Sequence, residues 1–223
     1  MNYKDIDLSA YPRKDHFEHF LTMENPFVSM TVQMDITKWY KRLKEKGYPF
    51  FLCFQYAAAA AANQIPELRQ RIKGKGIVEY DACDVSYTVA LEDGTYRYCN
   101  VDADQPLDDY IQEARRKQRM AMMMEHLEEE GDVLGYLFVS CVPWTGYASL
   151  ELPWPDRFFS NPCITWGRFE KSDRLCMENG NVFAKEEVRL PVSLMVNHAL
   201  ADGIHISSFF THLQKELDEM FHE

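Results

Sequence analysis

Apolar and polar residues alternate in "FVSMTVQMDI" (27–36) and run nearly continuously apolar in "RLPVSLMV" (189–196), which predicts a half-buried strand and a deeply buried one. The spacing changes to that of helices elsewhere. "RKDHFEHFLTM" predicts a short first helix, and "DITKWYKRLKEKG" a second one with Asp35 or Thr37 as its N-cap and Gly47 past its end. "PFFLCFQYAAAAAANQ" predicts a buried helix opened by Pro49, its alanines permitting close packing. "LDDYIQEARRKQRMAMMMEHLEEE" predicts a long helix whose methionines fill irregular gaps in a core. The last apolar set, Ile206, Phe209, Phe210, Leu213, Leu217, Met220 and Phe221, lies on one helical face.

Between these helices, "GIVEYDACDVSYTVALEDGTYRYCNVD" predicts two or three strands with an Asp-Gly turn at 93–94. "LGYLFVSCVPW" and "PCITWGRFE" predict two more strands. Asn179-Gly180 in "CMENGNVFAK" is a hairpin signal, with a separate strand expected at 188–196. No internal repeat or low-complexity linker interrupts the pattern. The expected architecture is α+β: a two-layer sandwich, a mixed β-sheet of six or more strands with helices packed on one face, in a single domain over 1–223.

Charge narrows the partners. The net charge of −11 on 223 residues argues against nucleic acid, whose phosphates need a basic face. Nothing in "MNYKDIDLSAYPRKDHF" forms the apolar core of a secretory signal, and "YPFFLCFQYAAAAAA" is broken by Gln55 and too short to span a bilayer. A cytoplasmic protein with no membrane partner is expected. The six cysteines contain no C-x-x-C pair and no zinc-finger spacing with histidine, so reduced structural thiols and no metal are expected.

Chemistry concentrates in "VNHALADG" (196–203), where His198 ends a strand and Asp202 and Gly203 precede a helix. A lone histidine there is ordinarily structural. Imidazole is nonetheless the side chain best matched to moving a proton near neutral pH. A sharp turn at Gly203 would expose it, and Asp202 would need a cation from elsewhere in the chain.

The pattern His-x-x-x-Asp-Gly after an apolar strand resembles the signature of the chloramphenicol acetyltransferase family. Further segments of the chain resemble that family in the same order: "YPRKDHFEHF", "VQMDIT", "KGYPFF", "IPELRQRIKG", "VPWTGYASLEL" and "ITWGRF". The resemblance implies the family's fold and an acetyl-CoA-dependent transfer of acetyl to a hydroxyl of chloramphenicol or a similar xenobiotic, an antibiotic-resistance activity.

It implies His198 as general base, Ser149 as donor to the oxyanion from a strand, and Thr165 as a solvent-placing hydroxyl. Asp202 and Arg13 become a buried pair that fixes the catalytic loop. Lys46, Tyr48, Arg168 and Phe169 fall at coenzyme positions, and His19 and Phe20 at the acceptor. Tyr96 and Tyr98 lie where an aromatic acceptor-pocket strand is expected. A homotrimer with sites shared between subunits is implied as well.

The chain departs from the family pattern at Phe20, at Asn197, in a shorter stretch between Ser149 and Thr165, and in a longer hairpin at 170–187. These changes leave the acceptor open. The alternatives are another CoA-dependent acyltransferase, such as the dihydrolipoamide class, and a ligand-binding protein without activity. The joint presence of His198, Ser149, Thr165, Asp202 and Arg13 favours the enzyme.

Overall fold

The apolar run 188–196 forms the second half of the longest strand of the fold, and the other strands of the main sheet are arranged around it. The structure is a computed structural model that describes residues 1–129, 131–178 and 181–221. Along the chain lie β1 (Tyr3–Ile6), α1 (Lys14–Phe20), β2 (Phe27–Asp35), α2 (Thr37–Lys46), α3 (Phe50–Asn63) and the single-turn α4 (Pro66–Arg69). They are followed by β3 (Gln70–Lys73), β4 (Gly76–Tyr80), β5 (Asp84–Ala90), β6 (Tyr96–Val101), α5 (Leu107–Ala121), β7 (Tyr136–Val142), β8 (Cys163–Gly167), β9 (Glu170–Glu178), β10 (Asn181–Asn197) and α6 (Gly203–Glu219).

The main sheet has seven strands in the order β2-β10-β8-β7-β5-β6, with β9 paired to the first half of β10. β7 runs parallel to both β5 and β8, and the other pairs are antiparallel, so the sheet is mixed as expected. A second sheet, β1-β4-β3, was not foreshadowed by the hydrophobic pattern, because its two outer strands are only four residues each.

Strand alternation gives the main sheet two different faces. Val188, Leu190, Val192, Leu194 and Val196 of β10, with Ile164 and Trp166 of β8, join the core beneath the helices. The alternate positions, Ser193 and Thr165 among them, face the other way. Five of the alanines of α3, Ala57, Ala58, Ala59, Ala61 and Ala62, are fully buried, which lets α3 and α6 approach closely. Gly47 closes α2 at φ +72°, the left-handed geometry that a glycine C-cap provides. Asp35 accepts from the Thr37 amide at 3.0 Å, although Ile36 holds the N-cap position of the helix.

Four expectations change. The long helix stops at Ala121, and Arg97 of β6 donates to the Met124 and Glu125 carbonyls of the chain just past its end. Met120, Met122 and Met123 are exposed and are not core filler. The segment around Ser149 forms no strand: β7 ends at Val142, and Pro143, Pro153 and Pro155 remove backbone donors from the stretch that follows. The expected strand 188–196 is part of one continuous strand from Asn181. The Asn179-Gly180 turn lies outside the described residues, while the flanking strands pair with Glu178 opposite Asn181.

Candidate active site

The turn after β10 is made by side chains on either side of His198. The Asn197 side-chain oxygen accepts from the Ala199 amide at 3.0 Å, and its backbone carbonyl accepts from Leu200 and Ala201. Asp202 caps α6, its Oδ1 accepting from the Ile204 amide at 3.1 Å. His205 completes a capping box by accepting the Asp202 amide on Nδ1 at 3.0 Å, and its Nε2 faces Glu67 at 3.5 Å. Gly203 therefore opens the helix instead of bending the chain: it has open space around its Cα and no positive φ.

His198 is held at its backbone and its ring. Its amide donates to the Pro26 carbonyl at 2.6 Å. Arg13 donates to Asp202 Oδ2 at 2.6 Å and to the His198 carbonyl at 3.4 Å, so one guanidinium ties the histidine to the cap of α6. The imidazole lies flat on Phe20. Its Nδ1 is buried with no hydrogen-bond partner among the described residues.

The Arg13–Asp202 pair is less buried than expected. The side chains are 14% and 28% exposed, because Asp202 sits at a helix N-terminus and not inside the core. Burial pushes the Asp202 pKa up, but the Arg13 hydrogen bond, the Ile204 amide and the nearby charges together hold it below its ordinary value.

Thr165 and Ser149 are placed differently. Thr165 faces Ser193 across β8 and β10, five residues before His198. At roughly 3.3 Å per residue that is on the order of 16 Å along the strand, too far for both to touch one reacting group. The Thr165 hydroxyl is buried and has no partner among the described residues. Ser149 is exposed in the irregular segment between β7 and β8. That segment is anchored by Tyr147, whose hydroxyl donates to the Thr165 carbonyl at 3.0 Å and accepts from Ser193 at 3.4 Å. Gly167 makes room for this anchor, since a Cβ there would lie 2.9 Å from the Tyr147 ring and from the Thr145 carbonyl.

The helix-free face of the sheet carries a cleft of about 330 Å³. Thr165, Ser140, Ser86 and Tyr98 line it on the sheet side, and Leu152, Pro153, Pro155 and Phe159 on the loop side. Asn197 braces the loop wall by donating to the Arg157 and Phe159 carbonyls at 2.9 and 3.0 Å. Of the four acceptor-side residues, only Tyr98 lines this cleft. Tyr96 is an exposed neighbour 5.8 Å away between ring centroids, at the edge of the sheet. Phe20 packs on His198 of its own chain, and His19 is exposed beside it.

Of the coenzyme candidates, Lys46 and Tyr48 lie at the end of α2, while Phe169 packs near its start against Tyr40 and the beginning of α3. Lys46 is exposed at the last turn of α2. Tyr48 donates to Asp108 at 2.8 Å and stacks on Phe221. Phe169 packs against Tyr40 and Phe50, with centroids 5.0 and 5.6 Å away, so its ring is committed to the edge of the core; Arg168 beside it is exposed. Tyr147, Asn197 and His205 carry no chemical signature in the sequence, although His205 stands at the capping-box spacing from Asp202.

Residues 1–214 match the family model described as chloramphenicol acetyltransferase. A chloramphenicol acetyltransferase from Klebsiella is 29% identical over 222 residues, covering 97% of this chain and 94% of that one. Chloramphenicol acetyltransferase 3 of Escherichia coli is 29% identical over 225 residues, covering 96% and 97%. Among solved structures, a chloramphenicol acetyltransferase superposes with a TM-score of 0.76 at 24% identity, over 97% of this chain and all (100%) of that one. A probable dihydrolipoamide acetyltransferase from Listeria monocytogenes superposes with a TM-score of 0.64 at 18% identity, over 97% and 95%.

Proposed function

The chain belongs to the chloramphenicol acetyltransferase family of acyltransferases, and from that footing we propose that it transfers acetyl from acetyl-CoA to a hydroxyl of chloramphenicol or a similar small molecule, with His198 as general base. The observation that carries this reading is the clamp on His198. Its carbonyl is held by Arg13 at the start of α1, its ring by Phe20 at the end of α1 and its amide by Pro26 before β2, and Nδ1 is turned away from solvent. A general base needs that degree of positioning, and one so placed typically contributes about 10²–10⁴-fold.

On this reading Nε2 takes the proton of the acceptor hydroxyl while its oxygen attacks the thioester carbonyl carbon. The carbonyl electrons move onto oxygen, and Ser149 donates a hydrogen bond to that oxyanion. Collapse breaks the carbon–sulfur bond, and the proton on His198 passes to the departing thiolate, leaving the acetyl ester and free CoA. Thr165, with its buried unbonded hydroxyl, holds solvent at the centre. Lys46 and Arg168 supply positive charge for the coenzyme phosphates, with Tyr48 and Phe169 beside them.

The separation of His198 from Thr165 within one chain supports a site shared by neighbouring subunits of a trimer, with the histidine from one and the cleft from the next. The test is acetyl-CoA turnover with an acceptor panel for wild type, His198→Ala, Ser149→Ala and a co-expressed mixture of the two variants. Each variant alone should lose nearly all turnover. Random mixing in a shared-site trimer should restore about a quarter of it, since one interface in four then has both residues intact. Retained turnover in His198→Ala would remove the general-base assignment, and no recovery in the mixture would remove the shared site.

A further inference from the structure

The acidic segment "EHLEEE" (125–130) is expected to close the long helix, yet Glu129 lies past the end of α5 and is turned inward. It lines the cleft on the helix-free face of the sheet, where the buried Ser86 hydroxyl donates to its Oε1. Among the described residues that line the cleft, it is the single carboxyl, and no lysine, arginine or histidine stands with it. Much of the remaining wall is apolar, including Phe138, Leu152 and Phe159. Burial pushes the Glu129 pKa up and the Ser86 hydroxyl offsets this only in part; among the described residues that line the cleft none supplies a cation to the carboxylate. A half-buried carboxylate left in that condition is costly unless a bound group supplies the missing charge.

We propose that Glu129 makes this cleft selective for acceptors that carry a cationic amine several bonds away from the hydroxyl to be acetylated. The proposal rests on the acetyltransferase reading given above, and it adds the class of acceptor. The spacing comes from the sheet. Ser86 lies opposite Phe138, Phe138 opposite Cys163, and Thr165 two residues further along β8. Two strand spacings of about 4.8 Å and two residues of about 3.3 Å put the backbones of Ser86 and Thr165 on the order of 12 Å apart. A molecule reaching from the Thr165 end to Glu129 therefore spans an aromatic ring or a short chain, and adjacent amine and hydroxyl groups are too close together. The apolar walls suit the body of such a molecule, Glu129 takes its ammonium in a charge-assisted hydrogen bond, and the net charge of −11 draws cations toward the protein.

The test uses an isosteric pair of acceptors, para-(dimethylaminomethyl)benzyl alcohol and para-isobutylbenzyl alcohol. They differ in a protonated nitrogen against a carbon, and the tertiary amine cannot itself be acetylated. Binding is measured by calorimetry without acetyl-CoA, and kcat/KM with it, for wild type and Glu129→Gln. Wild type should favour the cation by about tenfold or more in both measurements, and Glu129→Gln should bring the ratio close to unity. Equal binding of the two alcohols to wild type, or an unchanged ratio in the variant, overturns the proposal. Selective binding without turnover of either alcohol would count against the acetyltransferase reading and leave the cation site standing. Ser86→Ala is the second variant: loss of the hydroxyl that orients Glu129 should shrink the same ratio, and an intact ratio with Glu129→Gln misfolded would count against the assignment.

Discussion

Phe20 lies face to face with His198, the ring centroids 3.9 Å apart and the planes 9° from parallel. The phenyl ring fixes one side of the imidazole, so on the proposed general-base reading its contribution is to the geometry of proton transfer. Phe20→Leu should lower kcat by roughly tenfold while the KM for acetyl-CoA changes little, in line with the ~0.5–1.5 kcal/mol of an aromatic pair. Phe20→Tyr, which keeps the flat face, should retain most of kcat. Steady-state kinetics of the two variants decides this, and equal losses in both would show that the stack is not what positions His198.

Arg13 and Asp202 should be coupled energetically. Because the pair is partly exposed, each truncation to alanine should cost about 1–3 kcal/mol, between the values typical of surface and buried pairs. The double variant should be less damaged than the sum of the singles. Strictly additive losses in denaturant unfolding would mean that the 2.6 Å contact contributes nothing.

The same pair sets a pH dependence. The folded pKa of Asp202 is depressed below its ordinary 3.8. Its stabilisation is therefore complete above that ordinary value and is lost as pH falls through the lower folded one. Asp202→Asn keeps an oxygen for the α6 cap and removes the charge facing Arg13. The stability gap between wild type and this variant should be largest near neutral pH and should close in acid, as thermal melts across pH would report. A gap that widens in acid would reverse the assignment.

Gly167→Ala should damage the site from the same face of the sheet, two residues along β8 from Thr165. The added methyl would meet the Thr145 carbonyl at 2.9 Å and Pro191 Cγ at 3.0 Å, and would push Tyr147 off the Thr165 carbonyl. A cost of about 1–3 kcal/mol is expected, with turnover falling as the Ser149 segment shifts. Unchanged melting together with unchanged turnover would show that Tyr147 does not anchor this segment.

Asn197→Ala should act on the acceptor more than on the chemistry. It removes both donors that hold the Arg157 and Phe159 carbonyls, so the loop wall of the cleft loosens. The acceptor KM should rise several-fold more than the KM for acetyl-CoA, with about 1–3 kcal/mol of stability lost. A larger effect on the coenzyme would place the loop elsewhere in the cycle.

The legible parts were those with a periodic signal or a local motif. The buried face of α6, the glycine cap of α2 and the position of His198 at a strand end all follow from spacings within a few residues. Arg13 is 189 residues from Asp202, a distance no local pattern spans, and it was found through resemblance to a family. Local reading gave way where distant groups decide the local conformation. The Arg97 guanidinium holds the chain just past the end of α5, and Asn197 and Asp202 shape a turn that Gly203 alone suggested. Glu129 could not be seen at all, since the sequence places it within the long helical pattern and the contact that brings it to the cleft is with Ser86, 43 residues away.

β10 pairs with β2 and β8 at once over Val192–Met195 and carries Ser193 on one face and the core valines on the other. It then delivers His198 a fixed number of residues later. That arrangement imposes a parity rule on how this chain can diverge. Adding or removing one residue between Ser193 and His198 would turn half the strand inside out, whereas the irregular stretch from 143 to 162 has no such count to keep. A change of length is therefore cheap in the loop that walls the cleft and costly in the strand that leads to the histidine.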